Sequence, residues 1–417
     1  MIERALAEAV LREVIAACDP AARVRDALVQ PAIAARLAGR RRFAVAIGKA
    51  ALAMARGAGE VVAGVAVVPR GGSGALPAGW RVLEGTHPEP SDASVAAGLA
   101  VQGLVGAVPA AEAVLALMSG GASALAEVPL VPLDEMVATV RAVMAAGAAI
   151  DEINTVRGAL SAIKAGRLAL ASAAPVVTLA VSDVIGDPLA VIGSGPTVGP
   201  WLGSPGLAID DGAADRRSRA RAILARYGVA APPVLSAALP PRAVTRSDVA
   251  QVIAPMASAA AAVVQALASR GIAATLVDLP VSGDIDAVAR DLVGAAAAAG
   301  AQPIIAWGEP TLRVPAVHGA GGRAQQLALI LAGLLRGGTR SAFIVGTDGV
   351  DGPPPPDRPP PAGAWVDGTT WDAIAATGRD PAAALAACDA GTALDAVGAL
   401  VVTGATGINH ADLMIIG

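Results

Sequence analysis

The 417-residue chain carries 31 Lys and Arg against 35 Asp and Glu, for a net charge of −4, and 54% of its residues are hydrophobic. Its only basic clusters are Arg40 to Arg42 and Arg216 to Arg221, too little for a nucleic-acid footprint, and its apolar runs break before the roughly 18 residues a membrane span needs. Cys18 and Cys388 are too few for a disulfide framework and too far apart for a metal pair. With a charged amphipathic opening, MIERALAEAVLREVIAACDP, in place of a signal peptide, they point to a cytoplasmic protein.

The length exceeds the ~100 to 200 residues of a single domain, so two domains are expected, with an active site in the cleft between them. After the first helix, buried strands are predicted at 43–47, 65–68, 113–118 and 175–181, and helices at 50–56, 92–104, 133–146 and 151–170. This alternation predicts an N-terminal Rossmann-like parallel sheet flanked by helices. From 199 to 255 the pattern weakens into a charged helix (210–227) and a proline-containing linker, which puts the boundary between residues 240 and 241. Domains of 1–240 and 241–417 follow. The second domain is also expected to be α/β, with helices at 256–270, 284–299 and 323–335 and strands at 273–277, 303–307 and 342–345. Between Asp351 and Trp365 the run DGPPPPDRPPPAGAW predicts an extended polyproline II loop.

Three strands of the first half end in loops of glycine and small polar residues: Gly48-Lys49, Ser119-Gly120-Gly121-Ala122-Ser123, and Ser182-Asp183-Val184-Ile185-Gly186-Asp187. Carboxyl ends of parallel strands line a ligand crevice, and glycine turns let backbone N–H groups approach an anion, so a phosphate and Mg²⁺ site is the expectation. No GxxxxGK[ST] sequence occurs. Only two lysines, Lys49 and Lys164, stand among 31 basic residues, and Asn occurs only at Asn154 and Asn409. On a helix, Asn154, Arg157, Ser161 and Lys164 fall within an arc of about 80°, forming a polar stripe that holds both scarce residue types. The second half supplies Gly321-Gly322-Arg323, Gly346-Thr347-Asp348 through Asp351-Gly352, and Thr403 through Asn409-His410. Arg323 suits a carboxylate or phosphate through paired hydrogen bonds, and Asp348 and Asp351 suit Mg²⁺. The histidines His87, His318 and His410 have no metal spacing.

The stretches AIGKAALAMA, THPEPSDASVAAG, LMSGGASAL, INTVRGALSAIKAGRLA, SDVIGDPLAVIGSGPT, GGRAQQLAL, GTDGVDGP and TGATGINHADL, in this order over residues 43–417, resemble the glycerate 2-kinase family, whose members join a glycerate kinase domain to a MOFRL-type domain. The resemblance implies ATP- and Mg²⁺-dependent phosphorylation of the 2-hydroxyl of D-glycerate, or of a related hydroxy acid. It implies Lys49 and Arg323 in the active site. The expected roles are Lys49, Arg323 and Asp183 in catalysis; Ser119, Gly120, Gly121, Ser123, Asn154, Arg157, Lys164, Gly322, Thr347 and Asn409 in substrate or nucleotide binding; and Asp187, Asp348 and Asp351 as metal ligands. Which carboxylate serves as base is left open by spacing. A monomer or homodimer with small-molecule partners is expected. The chain departs from the family at Ala324-Gln325-Gln326, where Asn-Gln-Glu is usual, and at Gly404-Ala405-Thr406-Gly407-Ile408-Asn409, where GPTGTN is usual. The rival readings are an NAD(P)H-dependent hydroxypyruvate reductase, supported by the GxGxxA match Gly319 to Ala324 with Asp348 after the next strand, and a non-catalytic sugar-phosphate-binding regulator.

Overall fold

The computed structural model describes residues 2–199, 202, 209–210, 213–237, 243–244, 248–278 and 280–417. The chain divides into two compact units, Pro20–Ala254 and the combination of Met1–Asp19 with Pro255–Gly417. The boundary expected between 240 and 241 lies outside the described residues. The opening helix, α1 (Arg4–Ala17), is part of the second unit.

The first unit is built on β1 (Arg42–Ile47), α2 (Ala51–Gly57), β2 (Ala63–Pro69), β3 (Trp80–Gly85), α3 (Asp92–Gly106), β4 (Ala113–Met118), α4 (Leu133–Ala145), α5 (Ile150–Leu160), β5 (Val176–Val181) and β6 (Val249–Ala254). The six strands are all parallel, in the order β3-β2-β1-β4-β5-β6. Alternation along each strand feeds both faces of the sheet. Val45, Ile47, Val114, Ala116 and Met118 pack with Val101 of α3 in one core, while Ala44, Ala46, Leu115 and Leu117 pack with Met54 of α2 in the other. Such two-sided burial is why these strands read as continuous apolar runs. The strand order reverses between β1 and β4, and in sheets of this type ligands bind beyond the carboxyl ends at that point.

Two of these strands were not legible. β3 is largely solvent-facing, and β6 lies in the segment read as a weak pattern. The helix expected over 151–170 is also not continuous. α5 stops at Leu160, Ser161 is extended (φ −114°, ψ 142°) and bridges to Pro129, and a separate turn, Arg167–Leu170, follows Ala165 and Gly166 at positive φ. The polar stripe therefore ends after Arg157.

The second unit adds α6 (Ser258–Ala268), β7 (Val281–Asp284), α7 (Ile285–Ala298), β8 (Ile304–Thr311), α8 (Arg323–Leu334), β9 (Ser341–Gly346), β10 (Gly363–Asp367), β11 (Leu400–Val401) and β12 (Asp412–Ile416). Its mixed sheet runs β7-β8-β12-β9-β10-β11, and the short strand Thr275–Leu276 also pairs with β8. β12 is antiparallel to both β8 and β9. One face, including Ala306, Ile344 and Met414, packs with α7 and α8; the other, including Ile305, Phe343 and Leu413, packs with α1 and α6. α1 contributes Ala7, Val10, Leu11 and Val14, the spacing of one helical stripe. The proline-rich loop doubles back and is not a polyproline rod: Arg358 N–H donates to Pro355 O (3.2 Å), Asp357 has φ 60°, and Asp351 N–H donates to Pro361 O (2.8 Å). Among the described residues no helix is long and apolar enough to cross a membrane.

Candidate active site

In the first unit the turns after β1 and β4 interlock at the reversal. Gly48 has φ 133°, and a Cβ there would collide with Ser119 Oγ, so only glycine lets the two turns close on each other. Ser119 N–H donates to Ile47 O (3.0 Å), Lys49 N–H to Gly120 O (2.8 Å), and Ala50 N–H to Ser119 Oγ (3.0 Å). Ser119 is buried in this lock, while Lys49 is exposed. Gly121 has φ 82°, and a Cβ placed on it would lie 3.4 Å from His87 Cδ2 and 3.6 Å from Lys49 Cγ. Partial desolvation holds the His87 pKa below the ordinary histidine value, reinforced by the positive charges of Lys49 and Arg157.

Behind the β4 turn lies a buried polar network. Lys164 Nζ donates to Ser123 O (2.6 Å) and Ala126 O (3.3 Å) and pairs with Glu127 Oε2 (3.0 Å). Both side chains of the pair are 1% exposed. Ser161 Oγ donates to Glu127 Oε1, which explains why the chain leaves the helix at that residue. Ser123 Oγ meets Ser194 Oγ (2.7 Å), and Ser194 Oγ donates to Asn154 Oδ1 (3.1 Å). The scarce residues Lys164 and Asn154 thus brace one loop. Arg157, on the next turn of α5, is half-buried, and desolvation lowers its pKa against the pull of Glu127. After β5, Ser182 Oγ accepts from Val184 N–H (3.2 Å), and Asp183 and Asp187 are half-buried in the turn, Asp187 with φ 54°.

In the second unit Arg323 opens α8. Its Nε and Nη2 donate to Asp412 Oδ2 (2.6 Å) and Oδ1 (3.2 Å), and Nη2 lies 3.3 Å from Glu309 Oε1. Nη1 has no partner among the described residues. Burial works against its charge, yet the Asp412 hydrogen bonds and the nearby carboxylates hold the guanidinium above its ordinary range. Burial pushes the Asp412 carboxyl up to about 7 against the pull of Arg323, with Asp351 and Glu309 adding to the rise. Asp351 caps α8 from outside the helix: Oδ1 accepts from Ala324 N–H (3.0 Å), and Oδ2 accepts from Gln325 N–H (2.8 Å) and Gln325 Nε2 (3.0 Å). A Cβ on Gly322 would collide with Asp351 Oδ1, so the glycine makes room for this cap. Thr347 is buried as a linchpin, its Oγ1 donating to Ala411 O (2.7 Å) and accepting from His410 N–H (2.7 Å). Asp348 Oδ1 accepts from Val350 N–H (3.1 Å), and Asn409 is half-buried beside this loop.

The profile of a domain of unknown function, DUF4147, matches residues 6–240, and that of the MOFRL family matches residues 302–412. A D-glycerate 2-kinase from Thermotoga maritima is 33% identical, over 89% of this chain and 89% of that protein. The crystal structure of glycerate kinase from Thermotoga maritima superposes with a TM-score of 0.84 at 31% identity, covering 98% of both chains. This chain belongs to the glycerate 2-kinase family. Within it, a protein from Agrobacterium vitis that bears a provisional hydroxypyruvate reductase name is 35% identical, over 89% of this chain and 98% of its own.

Against this family frame, the expected site residues separate into groups. Lys49, Ser119, Gly120, Gly121 and Ser123 come together at the sheet reversal, with Asn154 joined to them through Ser194. Lys164 and Thr347 are corrections: each is buried with its polar atoms committed to protein partners, so each supports a loop instead of facing a ligand. Asp351 is a third, because both its oxygens cap a helix where a metal ligand was expected. Glu127, Ser194, His87 and Asp412 were missed. The signal for Glu127 and Asp412 was present, since each is a lone carboxylate beside an apolar run, LAEVPL and ADLMII.

Proposed function

We propose that this chain transfers the γ-phosphoryl group of ATP to the 2-hydroxyl of D-glycerate, yielding 2-phosphoglycerate. One observation carries the reading: an exposed lysine stands at the sheet reversal, on a turn locked by Gly48 into the glycine turn after β4. Phosphoryl transfer is mainly positioning and charge neutralisation. Lys49 neutralises charge growing on the transferred group, a task suited to a compact ammonium. The backbone N–H groups of the Gly120-Gly121 turn hold phosphate oxygens, and Ser123, hydrogen-bonded to Ser194, fixes the end of that turn. Arg323, fixed by Asp412, presents Nη1 to the glycerate carboxylate, with Asn409 and the Gly322 turn beside it.

Among the described residues no group of three or more His, Cys, Asp or Glu side chains comes together to hold a metal ion, so a magnesium ion would rely on single carboxylates and on the phosphates. Asp183, Asp187 and Asp348 offer carboxylate oxygens without thiols, and Mg²⁺ usually takes one or two carboxylates along with phosphate oxygens and water. When bound it would shield phosphate charge. Asp183 is our proposed base for the hydroxyl proton, and Asp187 in the first unit and Asp348 in the second are each a single carboxylate that a metal ion would take.

The reductase reading rests on the Agrobacterium name and the GxGxxA match. A dinucleotide places its pyrophosphate on the amides opening the helix. Here the Asp351 carboxylate takes the amides of Ala324 and Gln325, and its negative charge repels a second anion. The test is incubation with ATP, Mg²⁺ and a panel of hydroxy acids, following ADP release and identifying the product by phosphorus NMR, beside an assay of NADH oxidation with hydroxypyruvate. NADH oxidation without ADP release overturns the kinase reading, and a 3-phosphorylated product overturns the position.

A further inference from the structure

Three carboxylates act on the Arg323 guanidinium: Asp412, Glu309 and Asp351. Two of them are committed. Asp412 is buried and takes the fork of Nε and Nη2, and Asp351 is buried with its oxygens on the amides of Ala324 and Gln325. Glu309, on β8, is less engaged: its side chain is 48% exposed, and Oε1 approaches Nη2 only to 3.3 Å. Because Asp412 already fixes the guanidinium at 2.6 Å, holding Arg323 does not account for a further carboxylate there. The backbone is nevertheless shaped to bring it. Gly308, just before it, has φ 141°, and a Cβ would lie 2.2 Å from Val281 O, so only glycine lets β8 close on β7 at this point.

Charge decides what can bind beside it. The positive charge of Arg323 is matched by Asp412, so Glu309 is surplus negative charge next to Nη1. Nη1 and Nη2 share one carbon, so an anionic group taken at Nη1 sits within a few ångströms of the Glu309 carboxylate. A single such group is offset by the guanidinium. A second one on the same small molecule meets a like charge at short range, which is strongly unfavourable. A hydroxyl in that place instead donates a hydrogen bond to the carboxylate. Repulsion of the wrong ligand in this way is a general source of specificity.

We infer that Glu309 is a specificity residue for the acceptor: beside the carboxylate held at Arg323 it admits an uncharged hydroxymethyl group and turns away a second anionic group. The inference rests on the proposed reading that Arg323 holds the acceptor carboxylate. It adds that the substrate class is the hydroxy acid with one negative charge, and that dicarboxylic and phosphorylated hydroxy acids are excluded at this anchor.

The test is titration calorimetry on the full chain with two ligands, glycerate and tartronate, which is glycerate with a second carboxylate in place of the hydroxymethyl group. The parent is expected to prefer glycerate by about tenfold or more. Glu309→Gln keeps the side-chain shape and removes the charge at a half-exposed position, and a thermal melt checks its folding. In this variant the ratio of tartronate to glycerate affinity is expected to rise by about tenfold or more. Glu309→Asp retains the charge and is expected to keep the parent's preference to within about threefold. A residue that only steadied Arg323 would change both affinities by the same factor and leave their ratio alone. Arg323→Lys is expected to weaken both ligands, which places them at this anchor. A parent that prefers tartronate, a ratio in Glu309→Gln within about twofold of the parent's, or ligands indifferent to Arg323→Lys overturns the inference. If the ratio shifts as expected but glycerate is never phosphorylated, the kinase reading falls and the role of Glu309 stands. If glycerate is phosphorylated while the ratio stays unmoved, the role of Glu309 falls and the kinase reading stands.

Discussion

Replacing Lys164 with Met removes a charge from a place water does not reach. The pair with Glu127 is 1% exposed on both sides, so solvent screening does not soften the loss. Met keeps most of the volume, but Glu127 is left with the Ser161 hydroxyl, its neighbouring Val128 amide and the charge of Arg157, which it does not contact as an ion pair. Breaking a buried pair in this way costs about 3 to 5 kcal/mol. The released carbonyls of Ser123 and Ala126 add to the cost, though not additively. At roughly 2 to 4 °C per kcal/mol for a unit of this size, an expected loss near 4 kcal/mol lowers the melting transition of the first unit by about 8 to 16 °C. Far-UV circular dichroism on heating, with urea titration in parallel, measures both quantities. The companion variant Glu127→Leu and the double variant complete a cycle. The double variant is expected to recover at least ~2 kcal/mol relative to the sum of the singles, because two apolar groups leave no orphaned charge. A Lys164→Met protein within about 1 kcal/mol of the parent, or strict additivity, refutes the argument that this ammonium braces the β4 turn.

Lys49→Met is expected to fold normally, to hold ATP within about tenfold, and to lose on the order of 10²- to 10³-fold in kcat, since its charge acts mostly in the transition state; near-normal kcat in steady-state assays counts against it. The same variant should raise the His87 pKa by removing one of the charges that depress it. Proton NMR over the three histidines reads this directly, and an unmoved His87 separates the two side chains. Because the folded pKa of His87 lies below that of free histidine, its contribution to stability is complete above about pH 6.5 and is lost as pH falls through the folded value. Arg323→Lys forfeits the fork on Asp412 and should lower kcat/KM for glycerate by roughly 10- to 100-fold, or about 1.4 to 2.7 kcal/mol. Asp351→Ala should cost about 1 to 2 kcal/mol by urea titration, from uncapping α8, while leaving the Mg²⁺ dependence of activity unaltered; a shifted Mg²⁺ requirement would restore Asp351 as a metal ligand.

The parallel sheet was legible because its strands are buried on both faces, so β4 appears as a six-residue apolar run, β1 as five apolar residues after Arg42, and β5 as apolar but for Thr178. β3 lacks that signal, being covered on one face at most, and β12 is masked by following a glycine-rich loop. Lys49 could be picked out because it is one of two lysines and adjoins a glycine, and Arg323 because it follows a pair of glycines. Lys164 misled for the same reason: scarcity marks a residue that cannot be replaced, and a buried ammonium with three acceptors is as irreplaceable as one that meets a ligand. Its helical stripe failed because Ser161 turns to serve Glu127, a partner 34 positions away that no local periodicity reveals.

Helix α1 packs on α6 and on the second unit's sheet, yet about 240 residues separate its end from the start of that unit's main body. During synthesis at roughly 5 to 20 residues per second, the stripe of Ala7, Val10, Leu11 and Val14 waits on the order of 10 to 50 s for its partner surface, while the first unit already has all its strands. The helix is therefore a late-docking segment, open to chaperones or to a neighbouring nascent chain throughout that interval. Once docked, it ties Arg4 to the carbonyls of Gly398 and Leu400 at 2.5 and 2.7 Å, so an alteration in this early helix is registered in a segment made nearly 400 residues later.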